Sequence, residues 1–91
     1  MTNQNKPVTQ VLVDYEERQS LGELINTLET IAAKLREEGK FTLMQGEKEI
    51  VIQPSDRVKT ELKYEVKGDK HSFEIEFEWY PGQGSQKMKI L

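Results

Sequence analysis

Ninety-one residues, 35% hydrophobic and 32% charged, suffice for one thin hydrophobic core under an ionised surface and leave no room for a second core. Thirteen Lys and Arg against sixteen Asp and Glu give a formal charge of −3 with both signs interspersed, so the chain lacks the broad basic field that draws polyanions. It has no cysteine, which excludes disulfides, thiolate nucleophiles and Cys-ligated zinc and agrees with an expected cytoplasmic location.

Residues 1–8 are polar apart from the ends and contain Pro7, the composition of a disordered lead. They hold no apolar run of the signal-peptide kind. No window elsewhere approaches the roughly 20 apolar residues that a membrane-spanning helix needs, so no membrane is expected as a partner. A folded domain is expected over residues 9–80. Within it, Val11, Val13 and Tyr15 alternate with Leu12, Asp14 and Glu16, a period of two that predicts a half-buried strand from Gln10 to Glu17.

Ser20-Leu21-Gly22-Glu23 is a capping box: the serine hydroxyl can accept from the Glu23 amide while the Glu23 carboxylate reaches back to the Ser20 amide. Leu21, Leu24, Ile25, Leu28, Ile31, Ala32 and Leu35 follow at steps of three and four, one apolar stripe on a helix of about five turns. Gly39 is placed to end it in the left-handed conformation.

Two hairpins should follow. A Gly46-Glu47 tip pairs Leu43 with Ile50 and Phe41 with Ile52 on one face, leaving Thr42 opposite Val51 on the other. Gln53-Pro54-Ser55-Asp56-Arg57 is turn chemistry, since proline has no amide proton for a ladder. Val58, Thr60, Leu62, Tyr64 and Val66 then alternate with Lys59, Glu61, Lys63, Glu65 and Lys67, and Phe73, Ile75, Phe77 and Trp79 alternate with Glu74, Glu76 and Glu78. A Gly68-Asp69 turn brings Tyr64 to Phe73, Leu62 to Ile75, Thr60 to Phe77 and Val58 to Trp79, with Lys63 facing Glu74 and Lys59 facing Glu78. Residues 81–91 are expected to form a flexible tail or a short edge strand. The resulting fold class is α+β: one amphipathic helix packed on a mostly antiparallel five-stranded sheet, in the order β-α-β-β-β-β.

The inventory for chemistry is sparse. His71 is the only histidine, and although Asp69 and Ser72 lie beside it, a hairpin tip offers neither a pocket nor an array of oxyanion donors. Glu74, Glu76 and Glu78 carry oxygens that suit a hard cation, but alternate strand residues stand about 6.6–7 Å apart and do not converge on one ion. The aromatics Tyr64, Phe73, Phe77 and Trp79 share the face that the helix is expected to cover, which disfavours a base-stacking platform. The expectation is therefore no catalytic residue, no cofactor and no metal. Apolar residues left over on the surface, namely Leu12, Met44, Val51, Met88 and Ile90, form the candidate interaction surface.

The lead-in Tyr15-Glu16-Glu17-Arg18, the helix end Arg36-Glu37-Glu38-Gly39 and the strand Phe73-Glu74-Ile75-Glu76-Phe77-Glu78-Trp79 together resemble the amphi-Trp domain family, over the block from Tyr15 to Trp79. The resemblance implies a small prokaryotic α+β domain with no assigned activity and no catalytic residues to transfer. Tyr80 and the Lys/Met/Ile/Leu tail depart from that pattern. The function expected from these readings is a non-catalytic protein-interaction or self-association module. A small-ligand or enzymatic site between helix and sheet is the alternative, with weak nucleic-acid binding third.

Overall fold

A computed structural model describes residues 7–81, with the elements α1 (Leu21–Glu38), β1 (Phe41–Gln45), β2 (Lys48–Ile52), β3 (Lys59–Lys67) and β4 (Lys70–Glu78). The helix starts on its capping box. Ser20 is extended, its Oγ accepts from the Glu23 amide at 3.0 Å, and Glu23 Oε1 accepts from the Ser20 amide at 3.4 Å. At the other end Gly39 takes φ 72°, and its amide donates to the Leu35 carbonyl at 2.9 Å. Substituting Ser20→Ala removes the hydroxyl that accepts from the Glu23 amide and should lower stability by about 1 kcal/mol, read as a lower urea midpoint with an unchanged slope.

Both hairpins adopt the register that the side-chain pattern predicts. Phe41 lies opposite Ile52, Leu43 opposite Ile50 and Thr42 opposite Val51. In the longer hairpin Lys59 lies opposite Glu78, Thr60 opposite Phe77, Leu62 opposite Ile75 and Tyr64 opposite Phe73. Gly46 and Gly68 open the two tips at φ 62° and 60°, and among the described residues no non-glycine has a positive φ. A positive φ at the first turn residue alone is the type II′ pattern, whose twist matches that of the strands it joins and demands glycine there.

The helix and antiparallel strands make the fold α+β, but the five-stranded sheet expected from the sequence is not formed. The four strands make two separate two-stranded sheets, β1 with β2 and β3 with β4. Residues 10–17 contain no strand. Alternation decides on which side a side chain falls, whereas a strand also needs a second backbone to bond. Here the segment is held instead by a side chain, Lys48 Nζ donating to the Leu12 carbonyl at 2.9 Å.

The chain divides into two compact units, Met1–Ile52 and Gln53–Leu91. In the first, α1 contacts β1, and the half-buried residues are Val13, Ile31, Ala33 and Leu35 together with Phe41, Leu43, Ile50 and Ile52. Leu21, Leu24, Ile25 and Leu28, on the N-terminal part of the same stripe, are exposed. Length accounts for this: five-residue strands reach about 17 Å, while an 18-residue helix runs about 27 Å, so this hairpin covers only part of the stripe. In the second unit Ser55 Oγ donates to the Tyr80 carbonyl at 2.8 Å, fastening the segment before β3 to the one after β4. Phe77 and Trp79 stack beside them, ring centroids 5.8 Å apart and planes at 25°. No described residue of either unit is fully buried.

Candidate interaction surface

The β3–β4 hairpin presents two unlike faces. On one, Leu62, Tyr64, Val66, Phe73 and Ile75 adjoin across the ladder, and all are exposed, Leu62 at 63% and Phe73 at 61%. The sequence reading placed this face in the core. Instead only Phe77 and Trp79, at the end away from the turn, are half-buried.

His71 belongs to the same apolar face, opposite Val66 and diagonal to Tyr64. Its Nδ1 is hydrogen-bonded to the Tyr64 hydroxyl, with ring centroids 5.9 Å apart. Strand alternation sends Ser72 to the opposite face and Asp69 is in the turn, so the Asp69, His71 and Ser72 side chains do not line up as a relay. The Tyr64 partner was missed by inspection of neighbours in sequence. It was available from the register, because residues offset by two across an antiparallel pair lie within reach of long side chains.

The other face is ionic. Lys59 Nζ stands 3.9 Å from Glu78 Oε1 across the strands, whereas Lys63 Nζ pairs at 3.1 Å with Glu65 Oε1 along its own strand and not with Glu74 opposite. All these groups are well exposed, so each pair contributes between about 0 and 1 kcal/mol. Among the described residues no group of three or more His, Cys, Asp or Glu side chains is arranged to hold a metal ion.

Met44 and Val51 are 70% and 55% exposed on the outer face of the β1–β2 hairpin, where they are diagonal neighbours. Leu12 is also exposed, but its carbonyl is bound from Lys48, which alternation assigns to the opposite face of that hairpin. Met88 and Ile90 lie outside the described residues.

Within the first unit a groove of about 450 Å³ runs between α1 and β1, lined by Asn26, Thr27, Thr30, Ile31, Phe41 and Leu43 among others. Thr27 Oγ1 and Thr30 Oγ1 spend their protons on the Glu23 and Asn26 carbonyls, at 3.1 and 2.8 Å, so toward the groove each offers lone pairs only. Lys34 and Glu38 form an ion pair of 3.2 Å at its edge.

The Tyr15 phenol is displaced from its ordinary ionisation. A hydrogen bond of 2.8 Å to the Glu17 carboxylate, reinforced by the carboxylate's charge, raises the phenol above its ordinary range. Phenolate absorbance during alkaline titration should therefore rise later for Tyr15 than for free tyrosine, and Glu17→Gln should bring it back.

One helix and two antiparallel hairpins, the longer one apolar on one side and ionic on the other as far as a terminal tryptophan, define a small α+β domain built on an amphipathic strand. The family model of the Amphi-Trp domain matches residues 6–90, nearly the whole sequence, and the chain belongs to that family. No curated protein and no solved structure matches it. Among the described residues no helix is long and apolar enough to cross a membrane.

Proposed function

We propose that the protein is a non-catalytic interaction module of the prokaryotic cytoplasm that associates with itself or with a protein partner through its apolar strand faces. The observation that carries this reading is the exposure of Leu62, Tyr64, Val66, Phe73 and Ile75 side by side on paired strands. Scattered exposed apolar residues are ordinary on a soluble protein, whereas a contiguous set held in one plane by a ladder is suited to a second surface. The ionic face behind it keeps the free chain in solution. Sedimentation mass over a range of concentrations, with capture from cell extract on immobilised protein, tests the reading: a strict monomer that retains nothing overturns it.

A second reading, a small-ligand or enzymatic site, is favoured by the groove between α1 and β1. Its volume suits a small molecule, and the threonine oxygens beside Phe41 and Leu43 combine acceptors with an apolar wall. A metabolite that raises the melting temperature, and loses that effect when Thr30→Val is introduced, would establish it.

A further inference from the structure

The open edge of β3 is complementary to itself. Along the ionic face β3 reads Lys59, Glu61, Lys63, Glu65, Lys67, strictly alternating in sign, while β4 reads Lys70, Ser72, Glu74, Glu76, Glu78. Lys67 and Lys70 flank a two-residue turn. In an antiparallel ladder that arrangement directs the backbone groups of Lys63 and its odd-numbered neighbours toward β4, and those of Thr60, Leu62, Tyr64 and Val66 toward the free edge.

We propose that β3 pairs antiparallel with β3 of a second copy about a two-fold axis through Leu62, which deepens the self-association reading above and rests on it. In that register Lys59 faces Glu65 of the other chain and Glu61 faces its Lys63, and symmetry repeats each pair. On the apolar face Leu62 meets Leu62, Thr60 meets Tyr64 and Val58 meets Val66. The edge-directed backbone groups of the even-numbered residues then meet their counterparts, so the ladder closes without a bulge.

Charge selects this register from its neighbours. A shift of the axis to Lys63 sets Lys59 against Lys67 and Glu61 against Glu65, and a shift to Glu61 sets Lys59 against Lys63. An axis at Tyr64 also matches signs but forces Gly68, a turn residue with positive φ, into the ladder opposite Thr60. With the axis at Leu62 the one like-signed pair is Arg57 with Lys67, at the ends. Self-pairing of β4 would place Glu against Glu through its C-terminal half. Lysines on an edge ordinarily deter strand addition, and here the interleaved glutamates lift that barrier for one partner, the same strand reversed. The product is a four-stranded sheet, β4-β3-β3-β4, with one continuous apolar face. It gains the third and fourth strands that a lone hairpin lacks for independent stability.

Cross-linking and charge exchange test the register in the full chain, which has no cysteine of its own. A residue on the axis has its counterpart about 5.5 Å away between Cα atoms, inside the range that a disulfide spans. Under mild oxidation Leu62→Cys should form a covalent dimer. Thr60→Cys and Tyr64→Cys should cross-link only when mixed with each other.

Independently, the all-acidic pair Lys59→Glu with Lys63→Glu and the all-basic pair Glu61→Lys with Glu65→Lys should each dimerise at least tenfold more weakly than the original chain, and an equimolar mixture should recover a heterodimer. Should either variant lose its β-sheet signal in circular dichroism, Glu61→Gln with Lys63→Gln replaces it, with weaker and less salt-sensitive dimerisation expected. A dimer that yields no Leu62→Cys cross-link, or whose charge variants dimerise undiminished, overturns the β3 pairing and leaves the interaction module standing. A monomer that nonetheless retains a protein partner also overturns only the pairing, and one that retains nothing overturns both.

Discussion

Ala33→Pro is expected to abolish α1 beyond its first turns and to leave the first unit without its packed helix. Ala33 lies in the helix interior and is half-buried. Proline there removes one main-chain bond and drives its ring into the carbonyl of Glu29, at a cost of about 3 kcal/mol or more. A domain of this length has a total stability of about 5–14 kcal/mol, so the change removes a large share of it. Circular dichroism at 222 nm and urea denaturation would measure the loss. Leu21→Pro is the control, because Leu21 is exposed and occupies the first helical position, where the amide has no partner in the helix and proline's φ is already suitable. Equal damage from both substitutions would mean that helix geometry is not what stabilises this unit.

The second large effect concerns association. Leu62 and Ile75 face one another across the β3–β4 ladder and are 63% and 53% exposed. Replacing both by lysine removes apolar area available to a partner and sets two like charges opposite each other. About half of each side chain remains to be covered, so where two copies cover this face the loss is at least about 3 kcal/mol, since full burial of one such side chain yields about 1.5–3 kcal/mol. That is more than a hundredfold in the dissociation constant. Sedimentation equilibrium against the original chain would measure it, with circular dichroism verifying that the hairpin survives. An unchanged constant would remove the apolar face from the interface and with it the main support for the proposed function.

The two experiments probe different scales of organisation. The first acts on a local element whose determinants lie within some twenty residues. The second acts on a face assembled from two strands.

What could be read from the sequence follows the same division. The helix bounds were legible because Ser20, Glu23 and Gly39 act on backbone groups within one turn of themselves. The hairpin registers were legible because a two-residue turn opened by Gly46 or Gly68 leaves one alignment in which apolar residues oppose apolar residues. Met44 and Val51 could be assigned to one outer face by the same alternation, whereas Leu12 could not, because the segment before the helix has no ladder to define its sides.

The sequence by itself thus determined the helix and the two hairpins, their caps, their turns and the sidedness of each ribbon, all consequences of contacts between near neighbours. Only the tertiary structure decided that residues 10–17 form no strand, that the ladders stay as two pairs, and that Leu62, Tyr64, Phe73 and Ile75 are exposed. The physical reason is that period two states which side chains share a face but carries no information on which distant backbone bonds the edge or which surface covers the face. Those outcomes depend on long-range competition among weak contacts, and no residue pattern encodes that competition locally.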